Sequence, residues 1–157
     1  MIESIEHDSK INIFDDCERI NTYSRIKSEI SGRILEEIIL YETQKTKKDK
    51  QIFVFKFQFG GEFDMVIFDR GTRECEIYEI KQSTEIVDRQ VENLVNEELC
   101  ALTEKHFGKI LTKNVLYRGQ NSRYKNVNYL NIEEFLCNLW KDPEQKIVQY
   151  YQPQEIQ

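Results

Sequence analysis

The chain is poor in the residues that most often announce a function. It has two histidines, His7 and His106. That is too few for a His-rich metal site and a weak basis for a His-centred catalytic triad. Its four cysteines, Cys17, Cys75, Cys100 and Cys137, lie far apart and form no C-x-x-C pair, which argues against a zinc ribbon or finger. Scattered thiols of this kind read as buried and reduced. No G-x-x-x-x-G-K-[ST] and no G-x-G-x-x-G occurs, so neither a P-loop nor a dinucleotide-binding turn is present. The mean hydropathy is −0.62, and no apolar run approaches the roughly 18 residues of a membrane helix. Met1 to Lys10 carries Glu3, Glu6 and Asp8 where a signal peptide would have a basic start and an apolar stretch. The expectation is a cytoplasmic protein with no membrane contact.

Two prolines and six glycines in 157 residues leave little room for long irregular loops, and no internal repeat or low-complexity segment is found. The length fits one domain at about 100–200 residues per domain. We read residues 1–157 as that domain, with an acidic extension at 1–17 and a tail at 141–157. A hydrophobic fraction of 39% with 32% charged residues describes a globular chain. The formal net charge of −6 argues against a general nucleic-acid coat protein. The charge is uneven, however. Residues 105–125 hold Lys105, Lys109, Lys113, Arg118, Arg123 and Lys125 and no acid. Such a segment suits a phosphate backbone, with Lys113, Arg118 and Arg123 as candidate contacts. Tyr124 offers a ring for base stacking, whereas Tyr117 fits a core better.

The apolar spacing predicts a helix over 18–44, with Tyr23, Ile26, Ile30, Ile34, Ile38 and Tyr41 as its stripe and Leu35 and Ile39 widening it, so that the helix is expected to be buried on more than one side. Strands are predicted over Ile52–Phe59, Glu62–Phe68 and Glu74–Lys81. A Gly60-Gly61 turn and an Asp69-Arg70-Gly71-Thr72 hairpin would join them. A second helix is predicted over 86–107, capped by Ser83 or Thr84 and stopped by Gly108. Ile110–Tyr117 and Val127–Leu130 follow as strands. Asn131 then starts a last helix through a capping box with Glu134, burying Ile132, Phe135, Leu136, Leu139 and Trp140. "INIF" at 11–14 and Ile147–Tyr151 are further short strand candidates. The fold class is α/β, with a central mixed sheet flanked by helices and the order α-β-β-β-α-β followed by β-α.

The informative stretch is "GGEFDMVIFDRGTRECEIYEIKQS". Side chains alternate faces along a strand, so Glu79 and Lys81 share one face while Tyr78 and Ile80 take the other. The hairpin sets Asp64 on the neighbouring strand. If the faces agree, Asp64, Glu79 and Lys81 meet. An E-x-K on an exposed strand is ordinarily solvated charge. Here the surrounding segment is apolar, and charges buried in such a sheet need partners. Two carboxylates at that density suit a hard divalent cation such as Mg²⁺ or Mn²⁺, and a lysine beside it can steady an attacking water.

This arrangement resembles the PD-(D/E)xK, or restriction-endonuclease-like, nuclease superfamily. Asp64 matches its aspartate and Glu79-Ile80-Lys81 its E-x-K, with Phe63 where the motif name has proline. More narrowly, "GRILEEIIL", "GEFDMVIFD", "IYEIKQS" and "VLYRGQN…YLNIEEFL" resemble the nuclease-like C-terminal domain of certain prokaryotic AAA-type ATPases. The resemblance covers about residues 25 to 140, and only its middle motif is specific. It implies a restriction-endonuclease-like core and Mg²⁺-dependent (or Mn²⁺-dependent) hydrolysis of phosphodiester bonds in DNA. Asp64, Glu79 and the Ile80 carbonyl would hold the metal. Glu36, four residues after Gly32, would complete the set; helical periodicity points instead to Glu37, and both stay open. Gln90 is the candidate supporting amide from the second helix. An AAA-type ATPase made separately is the protein partner the resemblance implies; a homodimer is a further expectation, drawn from the exposed strand candidates near the tail. The rival function is a catalytically inactive nuclease fold that serves nucleic-acid or protein interaction.

Overall fold

The computed structural model describes residues 16–141. The acidic extension up to residue 15, the strand candidate at 11–14 and the tail from 142 with its edge-strand candidate lie outside them. The chain divides into two compact units, 1–35 and 36–157, and the boundary falls inside the first helix. The second unit carries the sheet.

Helix α1 runs Asp16–Thr46, two residues beyond the expectation at each end. Its extent follows the periodicity, but its burial does not. Ile30, Ile34 and Ile38 are 49%, 51% and 47% exposed, and Tyr23 and Tyr41 are 65% and 60% exposed. The buried positions are Ile39 and Thr43, both at 0%. Isoleucines occur on opposite sides of this helix; Ile39, one of the two residues expected to widen the stripe, is the one that packs fully, while the main row stays largely exposed.

Strands β1 (Gln51–Lys56), β2 (Glu62–Asp69) and β3 (Glu74–Ile80) form an antiparallel meander. Gly60 and Gly61 take φ of +99° and +88° in the first turn, a conformation that costs glycine nothing. In the second turn Asp69 accepts the amides of Gly71 and Thr72 at 2.7 and 3.3 Å, an Asx-type closure. After β3 the chain passes through a 3-10 turn, Asp88–Gln90, then α2 (Glu92–Val95) and α3 (Glu97–Phe107). The single helix expected over 86–107 is therefore broken. Asn96 sits in extended conformation, and its side chain accepts the Leu99 amide at 3.0 Å, starting a new helix. Ser83 does not cap a helix; its hydroxyl donates to the Glu85 carbonyl. Gly108 does close α3, at φ +88°.

Strand β4 (Lys109–Tyr117) lies parallel to β3. Strand β6 (Val127–Asn131) lies parallel to β4, and the short β5 (Ser122–Tyr124), not foreseen from the sequence, pairs antiparallel at the edge. The six-stranded sheet has the order β1-β2-β3-β4-β6-β5. Asn131 caps α4 (Ile132–Leu139) by accepting the Glu134 amide. The reciprocal half of the capping box is replaced, because Asn131 N–H donates to Asn121 instead.

One sheet face buries Val66, Phe68, Cys75, Ile77, Val115 and Tyr117 with Val91 and Leu94, at about 1.5–3 kcal/mol for each large apolar side chain. Tyr78 projects to the other face and meets Phe135 of α4, with ring centroids 5.9 Å apart. Trp140, expected in the core, is 57% exposed. It follows the last turn of α4, and its indole donates to Glu42 at 3.1 Å. No helix among the described residues is long and apolar enough to cross a membrane.

Candidate active site

The β2–β3 register sets Met65 opposite Tyr78. One step further along, Asp64 and Glu79 come side by side on one face, and Lys81 follows directly after β3. The three side chains do meet. The Lys81 ammonium lies 2.9 Å from an Asp64 oxygen and 2.7 Å from a Glu79 oxygen. The same Asp64 oxygen accepts the Ile80 amide at 2.7 Å. The other accepts no hydrogen bond from the described residues. Asp64 and Glu79 are buried, while the Lys81 side chain keeps 32% of its surface in solvent. The group therefore forms a sunken cluster open on the lysine side.

Burial, and then the charge of Asp64, push the Glu79 carboxyl up to about 7 against the pull of Lys81 and Asn93. Burial works against the Lys81 charge as well, but the two carboxylates outweigh it and hold the ammonium above its ordinary value.

The amide that supports this cluster is Asn93 of α2. Its Nδ2 donates to Glu79 Oε1 and to the Glu62 carbonyl, each at 3.2 Å. Gln90, the candidate from the sequence, is occupied elsewhere: its Nε2 donates to Ser83 and the Glu85 carbonyl, and its Oε1 accepts the Val87 amide. Gln90 ties down the loop that leads away from Lys81 and does not touch the carboxylates. Asn93 stands three residues further on, which on a helix is nearly the same face. An amide at that spacing was the available signal. Asn93 also lines a cleft with Phe57, Phe59, Gly61, Leu99 and His106.

The helix glutamates are placed differently from each other. Glu36 is half-buried and Glu37 exposed, because Glu37 lies beside the exposed stripe. Among the described residues no three acidic, histidine or cysteine side chains gather closely enough to hold a metal ion, so Glu36 does not join Asp64 and Glu79 in such a group. The donor set nevertheless fits a hard divalent cation: two carboxylates side by side, one with an oxygen that accepts nothing.

The basic candidates separate as well. Lys113 is half-buried, with its ammonium 3.1 Å from the Cys100 sulfur. Arg118 and Arg123 are exposed. Arg118 lies at the end of β4, where its amide donates to the Ser83 carbonyl at 2.9 Å, two residues from Lys81. Arg123 lies on the edge strand β5. Tyr117 is buried as expected, and Tyr124 donates to Asp88 at 2.6 Å. Comparison with protein-family models, with curated proteins and with solved structures returns no match to this chain.

Proposed function

We propose that the protein is a divalent-metal-dependent phosphodiesterase that cleaves DNA in the cytoplasm, on a domain of the PD-(D/E)xK type. The observation that carries this reading is the cluster itself: an aspartate and a glutamate from adjacent strands, buried together, with a lysine between them and solvent. The order of one helix, three antiparallel strands, a helical crossover and a parallel fourth strand supports it.

Asp64 and Glu79 would hold Mg²⁺ or Mn²⁺, with the Ile80 carbonyl and Glu36 completing the set as the resemblance implies. The bound ion would polarise a phosphoryl oxygen and make a water more acidic. Asn93 fixes the Glu79 carboxylate from α2. Lys81, paired with both carboxylates through its ammonium and 32% exposed along its side chain, would steady an attacking water and the charge that builds on the phosphate. Arg118 stands nearest to carry a flanking phosphate, and Arg123 extends that surface along the sheet edge, so activity should fall steeply with salt. An AAA-type ATPase made separately is the proposed partner.

The test is cleavage of single- and double-stranded DNA and RNA with Mg²⁺ and Mn²⁺. Lys81→Ala should abolish cleavage and keep metal affinity, while Asp64→Ala should lose both. Equal trace activity in wild type and Lys81→Ala would mark a contaminant and end the nuclease reading. A second reading, an inactive nuclease fold used for interaction, is favoured by the ion pairs that Lys81 makes with both carboxylates within the fold. Calorimetry without metal binding would select it.

A further inference from the structure

A cleft of about 600 Å³ lies beside the charged cluster, lined by the end of β1 and the turn after it, and by α2 and α3. Its volume suits a small organic group, for which about 300–1,000 Å³ is usual. One residue belongs to both places. Asn93 lines the cleft, and its Nδ2 donates to Glu79 Oε1 at 3.2 Å. Its Oδ1 accepts no hydrogen bond from the described residues. That oxygen lies beside Gly61, where a Cβ would stand 3.4 Å from it and 3.3 Å from Leu99 Cδ1. Glycine at this position leaves the end of the cleft next to Asn93 unfilled.

The walls are aromatic and carry no free lysine or arginine. Phe57 packs edge-on to Phe55 and Phe63, with ring centroids 4.8 and 5.2 Å apart, so its place is fixed. Phe59, two residues on, is 95% exposed. A lone exposed phenylalanine is ordinary, but this one borders a cleft that reaches the cluster. Among the described residues lining the cleft, Lys56 is paired with Glu62 at 3.1 Å and Glu98 adds an acid. A flat neutral ring suits these walls, and a phosphate does not. An unpaired nucleobase is such a ring. It stacks on an aromatic side chain whatever the sequence, and its N–H groups can donate to Asn93 Oδ1. In a duplex the same faces and N–H groups are engaged, and freeing them costs unstacking energy.

We propose that this cleft holds an unpaired base of the strand whose phosphate lies at Asp64, Glu79 and Lys81, with Phe59 as its stacking platform, so that the substrate is single-stranded DNA. The proposal rests on the phosphodiesterase reading of the cluster, but its test needs no cleavage.

That test is fluorescence anisotropy of labelled DNA with the full chain in metal-free buffer at one salt concentration, since phosphate affinity moves with salt. The probes are a thymidine oligomer, an abasic sugar-phosphate strand of the same length and a duplex of that length. The thymidine strand should bind about tenfold tighter than the other two, as one stacked base supplies. Phe59→Ala should remove that margin and leave the abasic and duplex affinities unchanged, while Phe59→Trp should keep it. Because Phe59 is exposed, neither change should move the denaturation midpoint. Equal affinities for the thymidine and abasic strands, or no binding of either, overturn the proposal. So does a Phe59→Ala protein that keeps the margin. A wild-type dimer that Phe59→Ala dissociates overturns it too, because a second copy of the chain then covers the ring. A protein that cuts single and double strands equally keeps the nuclease reading and loses the base cleft. One that shows the stacking margin and cuts nothing keeps the cleft and loses the nuclease reading.

Discussion

Lys81→Met is the most informative single change in this protein. It removes the one cation among the described residues that pairs with Asp64 and Glu79 and keeps most of the side chain's volume. Breaking a buried pair from one side costs about 3–5 kcal/mol, because an uncompensated charge stays behind. Lys81 is 32% exposed, so solvent screens part of that loss and the lower end, about 3 kcal/mol, applies. At about 2–4 °C per kcal/mol for a chain of this size, melting should drop by about 6–12 °C. The loss should depend on pH. The Glu79 carboxyl is held up to about 7 by burial and then by Asp64, and without Lys81 it rises further. A carboxyl whose folded pKa is raised takes up a proton on folding, so its contribution is most favourable at low pH and is lost as pH climbs through about 7. The variant should therefore be closest to wild type near pH 5 and furthest below it near pH 8. Adding Asp64→Asn and Glu79→Gln removes the stranded charges and should recover most of the loss. Chemical denaturation in metal-free buffer reads all three proteins. A Lys81→Met variant within about 0.5 kcal/mol of wild type at both pH values, the range of an ordinary surface change, would refute the buried ionised cluster.

Gly108→Ala would place a Cβ 1.9 Å from the Arg73 carbonyl at a φ of +88°, so it should cost at least about 1–3 kcal/mol; an unchanged denaturation midpoint would contradict that close approach. Asp69 is held down to about 2 by the Lys50 ammonium and then by the amides of Gly71 and Thr72. A depressed carboxyl stabilises above its unfolded value and loses that as pH falls through the folded one, so Asp69→Asn should remove part of the acid-side slope of stability between about pH 4 and 2. Cys137 is exposed, whereas Cys75 and Cys100 are buried, and burial followed by the charge of Glu104 pushes the Cys75 thiol up to about 11. Iodoacetamide followed by peptide mass spectrometry should label Cys137 first and leave Cys75 unmodified until the protein unfolds. The lone tryptophan, Trp140, should be quenched readily by acrylamide in the native state, because it is 57% exposed.

The strands were legible because their signal is short-ranged and redundant. Alternation fixes which side chains share a face, and the Asp69–Thr72 turn fixes which residues of β2 and β3 stand opposite. The meeting of Asp64, Glu79 and Lys81 follows from those two facts alone. The long helix was legible in extent but not in phase. Ile30, Ile34 and Ile38 lie on one side and Leu35 and Ile39 on the other, and hydrophobic period cannot say which side finds a sheet. Burial on more than one side, which both rows together suggest, holds for Ile39 and not for Ile30, Ile34 and Ile38, and the longer row is the one that points to Glu37. The break at Asn96 did leave a sequence trace, an asparagine followed by Glu97 and Glu98, which is a helix start. It was masked because apolar residues continue at helical spacing across it. The difference between Gln90 and Asn93 has its own cause, upstream of that break. The chain enters its helical layer through a 3-10 turn, so Gln90 spends its amide on the loop and Asn93 is the residue that reaches Glu79.

On the proposed reading, the same three side chains carry stability and chemistry, and the two demands pull on Lys81 differently. Without a metal ion the cluster holds two carboxylates and one ammonium, and among the described residues Lys81 is the only counter-charge in contact with them. It then acts as a structural cation, which keeps Asp64 and Glu79 from repelling each other. Once another cation neutralises the carboxylates, Lys81 is no longer needed there and its ammonium, on a side chain that is 32% exposed, can turn to the substrate. Stability and activity should therefore separate in Lys81→Met. Mg²⁺ or Mn²⁺ should raise its melting temperature by more than that of wild type, because the ion replaces a missing charge and does not compete with a resident one. Cleavage should stay absent in the rescued protein. A metal-induced rise equal in both proteins would show that Lys81 and the ion do not share the carboxylates, and the cluster would then be an ion pair of the fold and nothing more.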